Sequence, residues 1–258
     1  MSPTAPALAR TYSDREYPDP WEKVLDYRRV REYAAEHPAH GRTRVGNTLD
    51  LPPSRVRGWL KGGMPDPVRG IQTGLNHGWL DPDPAGETAA ALVDLLAHVL
   101  AGGSIKTQTY VPSVTVGRRL ETDDVRAVFD RVGVETAVRR ADDDGRATEV
   151  VPECDGSVLG RCLVAMGAPT GEKVGLDAFP SVAWDVPESA RASFARIYLD
   201  HRATAFAGKR TMVIREDRPS AYLEGLRDFL AAVTGGPVTV GNGNVTVSAD
   251  AVREFCPA

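Results

Sequence analysis

The sequence predicts an α+β protein in two parts. An all-α domain spans residues 21–82, and a pseudo-symmetric domain spans 83–258, built from two α/β repeats at 85–168 and 187–258 with antiparallel sheets. Three observations predict this. An apolar helix, LVDLLAHVLAGGSI at residues 92–105, ends on small residues and runs straight into a strand, and FARIYLDHRAT at 194–204 echoes it later in the chain. The same succession of hairpin, helix, two strands and helix follows each of them. Ahead of both, two short helical stretches flank Asp50-Leu51-Pro52-Pro53, a tight turn.

Residues 1–20 carry Pro3, Pro6, Pro18 and Pro20 among small and polar residues with no apolar period, so they read as a disordered arm. From 21 to 37, Trp21, Val24, Leu25, Val30, Tyr33 and Ala34 recur at helical spacing, and His37-Pro38 stops the helix. Short helices at 43–49 and 54–61 follow, the second with a proline-led start and a Gly62-Gly63 end. Val56, Trp59 and Leu60 share one side of it and can seat it on its predecessor. That leaves Ser54, Arg55, Arg57, Gly58 and Lys61 facing outward. An outward Arg or Lys on such a helix can bond guanine O6 and N7, or phosphates, in the major groove of DNA. The plainer alternative is a small helical domain with a solvated basic face. A helix at 67–77 and Gly78-Trp79-Leu80 close this module, and DPDPAG at 81–86 forms a stiff boundary.

In the first repeat, Leu92, Leu95, Leu96, Val99 and Leu100 surround a seam at Ala97 and Ala101, where small side chains let two helices approach closely. His98 among them reads as an interfacial histidine. Strands at 105–109 and 111–116 alternate polar and apolar residues, so one face packs on helices and the other is open. A helix at 122–132, strands at 134–141 and 147–151, and a helix at 155–167 complete the repeat. The acidic run at 142–145 lacks the 12-position pattern and far Glu of a calcium loop and reads as a hairpin turn. Residues 168–187 are a linker with Trp184 as its anchor. The second repeat adds a hairpin at 204–216, a helix at 220–234, two strands around Gly241-Asn242-Gly243-Asn244 and a short last helix.

With 258 residues, 42% of them apolar, the chain can bury two cores. It shows no membrane-length apolar run and no signal segment, which predicts a cytoplasmic protein without a membrane partner. Cys154, Cys162 and Cys256 form no CxxC pair and have no His at ligand spacing, so they read as plain thiols. No phosphate loop of the GxxxxGK[ST] type and no nucleophile–histidine set is present; no cofactor is predicted, and a small-molecule enzyme ranks last. The net charge is −4, yet residues 21–61 hold nine Lys or Arg against five Asp or Glu. Of the 31 basic residues 26 are Arg, a bias of GC-rich genomes and of salt-loving archaea.

LLAHVLAGG, ARIYLDHRA and YVPSVTV, with the element order around them, resemble a single-chain LAGLIDADG homing endonuclease. The resemblance implies two signature helices packed together and antiparallel saddle sheets lying on double-stranded DNA. On that saddle the DNA-facing candidates are Lys106, Gln108, Thr109, Arg118 and Arg119, with Arg139 and Arg140 reaching phosphate and Lys209, Arg210 and Arg215 mirroring the first set. In that family an acid just before the last Gly of each helix holds the divalent metal that activates water. Here Gly102 and Arg202 stand at those positions. Gly offers no ligand and Arg brings a cation, so the resemblance implies the fold and DNA binding and argues against cleavage; no catalytic residue and no metal ligand is assigned. Ile197 replaces a signature Gly, and His201-Arg202-Ala203 replaces the small-acid-Gly ending. The segment VRGWLKGGMPDPVRGIQTGLNHGWLD resembles DNA-binding heads fused to such domains in archaeal proteins, implying an archaeal source. WhiA-type regulators also join a cleavage-dead LAGLIDADG domain to a helix-turn-helix, with the head at the other end.

The expectation is therefore a sequence-specific, nucleoid-associated DNA-binding protein, a transcription regulator that acts as a monomer. Two alternatives stay open: an active endonuclease taking metal ligands from elsewhere, such as Asp94 or Asp200, and an RNA-binding or protein-interaction scaffold.

Overall fold

The computed structural model describes residues 2–117, 119–141, 143, 145–205 and 210–255. They form two compact units, Thr4–Asn76 and His77–Ala258, the second joined by Met1–Pro3. The division falls ahead of the expected 81–86 connector, because Trp79 is fully buried in the second unit and its indole N–H donates to the Val132 carbonyl at 2.9 Å.

The first unit consists of α1 (Ala5–Arg10), α2 (Pro20–Glu36), α3 (Arg42–Leu49), α4 (Pro53–Leu60) and α5 (Asp66–Asn76). The expected disordered arm is corrected by α1. Thr4 caps it by accepting from the Ala7 N–H, a proline sits in its first turn, and Leu8 and Ala9 are fully buried. The segment behind it is pinned as well: Tyr17 donates to Asp26 at 2.9 Å and Lys23 pairs with Asp14 at 2.5 Å. Gly70 of α5 gives the Tyr12 ring its space, for a Cβ there would overlap the phenol. A few well-seated anchors order a segment that is otherwise short of apolar residues.

Helices α3 and α4 are joined by Asp50, Leu51 and Pro52, with Asp50 in the left-handed region at φ 56. Val45, Val56 and Trp59 are buried between them and α2, where Tyr27 meets Trp59 edge to face at 5.7 Å.

The second unit begins with α6 (Glu87–Gly102), followed by β1 (Gly103–Ile105), β2 (Pro112–Thr115), α7 (Thr122–Arg131), β3 (Thr136–Arg139), β4 (Glu149–Pro152) and α8 (Gly156–Ala165). After a 3-10 turn at Ser181–Trp184 come α9 (Glu188–Arg202), β5 (Ala203–Ala205), β6 (Met212–Arg215), α10 (Ser220–Thr234), β7 (Val238–Gly241), β8 (Asn244–Val247) and α11 (Ala249–Phe255). Each repeat makes one four-stranded antiparallel sheet, and the orders β1-β2-β4-β3 and β5-β6-β8-β7 are the same. A shift of 100 residues carries the pair Gly103–Val114 onto Ala203–Ile214. The expected two-repeat α+β architecture is therefore present. Residues Ala91 to Ala101 of α6 are all buried, as befits a helix whose sides are apolar apart from Asp94 and His98, and α6 packs most extensively on α9.

One local expectation is corrected. The hairpin strands are shorter than the alternation suggested: Lys106 and Tyr110 close the turn, with the Tyr110 N–H donating to the Lys106 carbonyl at 2.8 Å and Tyr110 left-handed at φ 57. The linker's expected anchor, Trp184, packs its ring on Phe229 at 5.2 Å, and Phe179, 8% exposed, adds a second one, meeting Phe194, Tyr222 and Phe229 at 5.1–5.7 Å. Among the described residues no helix is long and apolar enough to cross a membrane.

Candidate functional site

In the first unit the outward set of α4 divides. Ser54, Arg57 and Lys61 are exposed. Arg55 is not free: it pairs with Glu16 at 2.7 Å, donates to the Tyr17 hydroxyl at 2.8 Å and lies 4.6 Å over the Tyr17 ring. The ordered N-terminal segment that sequence reasoning left as an arm takes it up. In its place stands a residue that reasoning missed, Arg42 at the start of α3. Arg42, Arg57, Leu60 and Lys61 line an open cleft of about 420 Å³, and none of the three cations is in an ion pair among the described residues. The turn between the helices brings residues 42 and 57 together, which spacing alone did not reveal.

Among the described residues of the second unit the predicted cations do not form one patch. Lys106, Gln108 and Thr109 are exposed at the hairpin tip rather than on a sheet face. Arg139 is exposed at the other end of that sheet, in register with Glu149, which itself pairs with Thr115. Arg140 is held by Glu149 at 2.7 Å. Arg215 is exposed at the corresponding end of the second sheet, opposite Asn244, while Arg210 lies near its tip. Arg119 is exposed and close enough to Asp200 to favour its carboxylate form. Arg118 and Lys209 lie outside the described residues, as do Asp142, Asp144 and Cys256.

The most concentrated chemistry lies where α6 and α9 end. A Cβ built on Gly102 would overlap the His201 imidazole, so His201 fills the space a side chain at 102 would need. Across the seam His201 Nε2 is hydrogen-bonded to His98 Nδ1 at 2.9 Å. Burial and then the neighbouring His201 push His98 down to about 3; burial, then Lys173 and Arg202, push His201 down to about 4. Both rings are neutral at pH 7. The Leu100 carbonyl at the C-terminal end of α6, where the helix dipole is negative, accepts from Lys173 Nζ at 2.9 Å and Arg218 Nη2 at 2.8 Å. Thr115 donates to the Gly102 carbonyl.

Among the described residues one carboxylate serves this cluster. Glu216, almost fully buried, pairs with Arg202 at 3.2 Å and Arg218 at 3.0 Å and accepts from the Tyr198 hydroxyl at 2.7 Å. Burial, Arg218 and Arg202, only partly offset by Glu216, bring Lys173 down to about 7. The result is an open cleft of about 490 Å³ lined by Gly102, Gly103, Thr115, Lys173, His201 and Arg202, with cations exceeding acids. Sequence reasoning missed Lys173, which it left in a linker, together with Glu216 and Arg218. The 100-residue offset was the signal that could have found Arg218, since it places Arg218 on Arg118.

The acids considered as metal ligands elsewhere are occupied or apart. Asp94 is 2% exposed and paired with Arg131 at 2.6 Å, and burial raises its pKa. Asp200 is half-buried and its pKa is also raised by burial. Among the described residues no group of three or more His, Cys, Asp or Glu could hold a metal ion.

No family model matches the sequence, and no curated protein matches it. Among solved structures the chain is similar to the N-terminal LAGLIDADG domain of DUF199/WhiA, at 10% identity and a TM-score of 0.43, covering 67% of this chain and 86% of that one. It is similar at the same identity and TM-score to full-length DUF199/WhiA from Thermatoga maritima, covering 67% of this chain and 57% of that one.

Proposed function

We propose that this chain is a sequence-specific double-stranded DNA-binding protein, a transcription regulator that reads bases with the α3–α4 pair and uses the two-repeat unit as a further DNA-contacting surface without cutting. The observation that carries the reading is the cluster of Arg42, Arg57 and Lys61, three exposed cations on adjacent short helices that form no ion pair among the described residues. Short helix, tight turn and second short helix is the layout that presents a helix to the major groove, and Arg or Lys on it can bond guanine or phosphate. Arg139 and Arg215, exposed at corresponding ends of the two sheets, support the second surface.

Cleavage is left out of the proposal on physical grounds. A divalent metal at the ends of α6 and α9 would have to enter beside Lys173, Arg202 and Arg218, and His201 already fills the room a carboxylate at 102 would occupy. The test is a selection of random duplex DNA by the full chain in Mg²⁺, with the retained pool sequenced and its ends examined. One enriched, uncut motif is expected. Recovery of cut ends at a defined site would overturn the non-cleaving half, and an unenriched pool would overturn sequence-specific binding.

A further inference from the structure

We propose that the cleft between the two central helices is a binding site for a phosphate group. Lys173 and Arg202 reach it from two different segments, and Arg218 stands behind them with its side chain only 3% exposed. Among the described residues Glu216 is the acid paired with the arginines. Lys173, Arg202 and Arg218 together outnumber Glu216, and the cleft beside them is open, about 490 Å³, with Gly102, Gly103 and Thr115 on its wall, so an anion entering it meets cations that a single carboxylate does not match.

The histidine pair adds a directional donor. His201 Nε2 faces His98, so its Nδ1 lies on the Gly102 and Gly117 side. When His98 donates across the seam, His201 accepts and presents Nδ1–H to the cleft, so an anion there selects that tautomer. The set of ammonium, guanidinium and imidazole N–H suits the tetrahedral oxygens of a phosphate. Lys173 Nζ donates to the Leu100 carbonyl at 2.9 Å, and burial, then Arg218 and Arg202, lower its pKa to about 7, so an anion beside it would favour the charged form.

The ligand has two possible sources, a free phosphate or phosphate ester and a backbone phosphate of duplex DNA. The experiment titrates inorganic phosphate into the full chain by calorimetry at constant ionic strength, using wild type, Lys173→Met, Arg202→Gln and Arg202→Lys, with circular dichroism to verify folding. The expected result is saturable one-site binding, weakened at least tenfold in Lys173→Met and Arg202→Gln and largely kept in Arg202→Lys. Heats that never saturate up to about 10 mM phosphate would overturn the proposal. So would folded Lys173→Met and Arg202→Gln variants that bind like wild type.

A second arm measures duplex binding by the same proteins over a range of salt. If the phosphate is the backbone's, inorganic phosphate competes with duplex and each of these two variants reduces the salt slope by about one. If it is a free ligand, duplex affinity does not change. Failure of all duplex binding would overturn the DNA-binding reading and leave the phosphate result standing by itself.

Discussion

Gly102 and His201 are the residues on which the centre of the molecule turns. A methyl group at 102 would overlap the His201 ring, so Gly102→Ala forces the imidazole out of its bond with His98. Overpacking of this kind costs about 1–3 kcal/mol. We expect Gly102→Ala to lower the melting temperature, and His201→Ala in the same chain to recover part of the loss, with a coupling of about 1 kcal/mol in the cycle; strictly additive effects would show that the two do not compete for this space. The histidines also set an acid limit. Their ordinary value is 6.5, and in the fold His98 lies at about 3 and His201 at about 4. Between those values the unfolded chain's histidines bind more protons than the folded chain's, so their contribution to stability falls as pH drops from 7 towards 4 and levels off below about 3. Fully buried His98 accounts for about 1.4 kcal/mol per pH unit in that window. Melting curves of His98→Gln should therefore decline less steeply between pH 7 and pH 5 than those of wild type. Parallel declines would refute the assignment.

At the level of elements, α4 shows how a helix face divides between support and recognition. Arg55 and Arg57 are two residues apart, and sequence pattern gave them the same role. Because Arg55 is bound to Glu16 and Tyr17, Arg55→Ala should loosen the N-terminal segment and lower the melting temperature with little change in the salt dependence of duplex binding. Arg57→Ala should do the reverse: unchanged melting, and a salt slope shallower by about 0.9 for one lost phosphate contact. If Arg55→Ala proves to be the variant with the shallower slope, the division is wrong. The periodic elements were legible from sequence, including the whole of α10, because helical spacing and prolines mark them locally. What was not legible depended on distant partners. Helix α1 exists because Leu8, Ala9 and Tyr12 find pockets on other helices, Phe179 anchors its segment because Phe194 and Phe229 wait for it, and Lys173 joins the cleft although it sits in an irregular segment.

Across the whole molecule, the two repeats keep the same strand order and have diverged at their meeting point. The offset that aligns the sheets places Gly102 on Arg202, His98 on Tyr198 and Val116 on Glu216. The first repeat leaves room for the His201 ring, the second supplies Arg202, Arg218 and a buried polar network of Tyr198, Tyr222 and Glu216, and the segment between them supplies Lys173. A net charge of −4 is therefore no guide to the local field, which is positive in this cleft. Glu216 and a bound phosphate would act on the same cations, and this makes them competitors in binding and substitutes in stability. Removing one partner from a buried ion pair costs about 3–5 kcal/mol, so Glu216→Gln should melt well below wild type. It should also bind inorganic phosphate several-fold more tightly, and saturating phosphate should raise its melting temperature by more than it raises that of wild type, since ligand binding to the folded state adds stability according to its affinity. Calorimetry and thermal melts with and without phosphate measure both effects. A Glu216→Gln protein that is destabilised yet binds phosphate no better than wild type would mean that the carboxylate braces the fold without balancing the charge of the cleft.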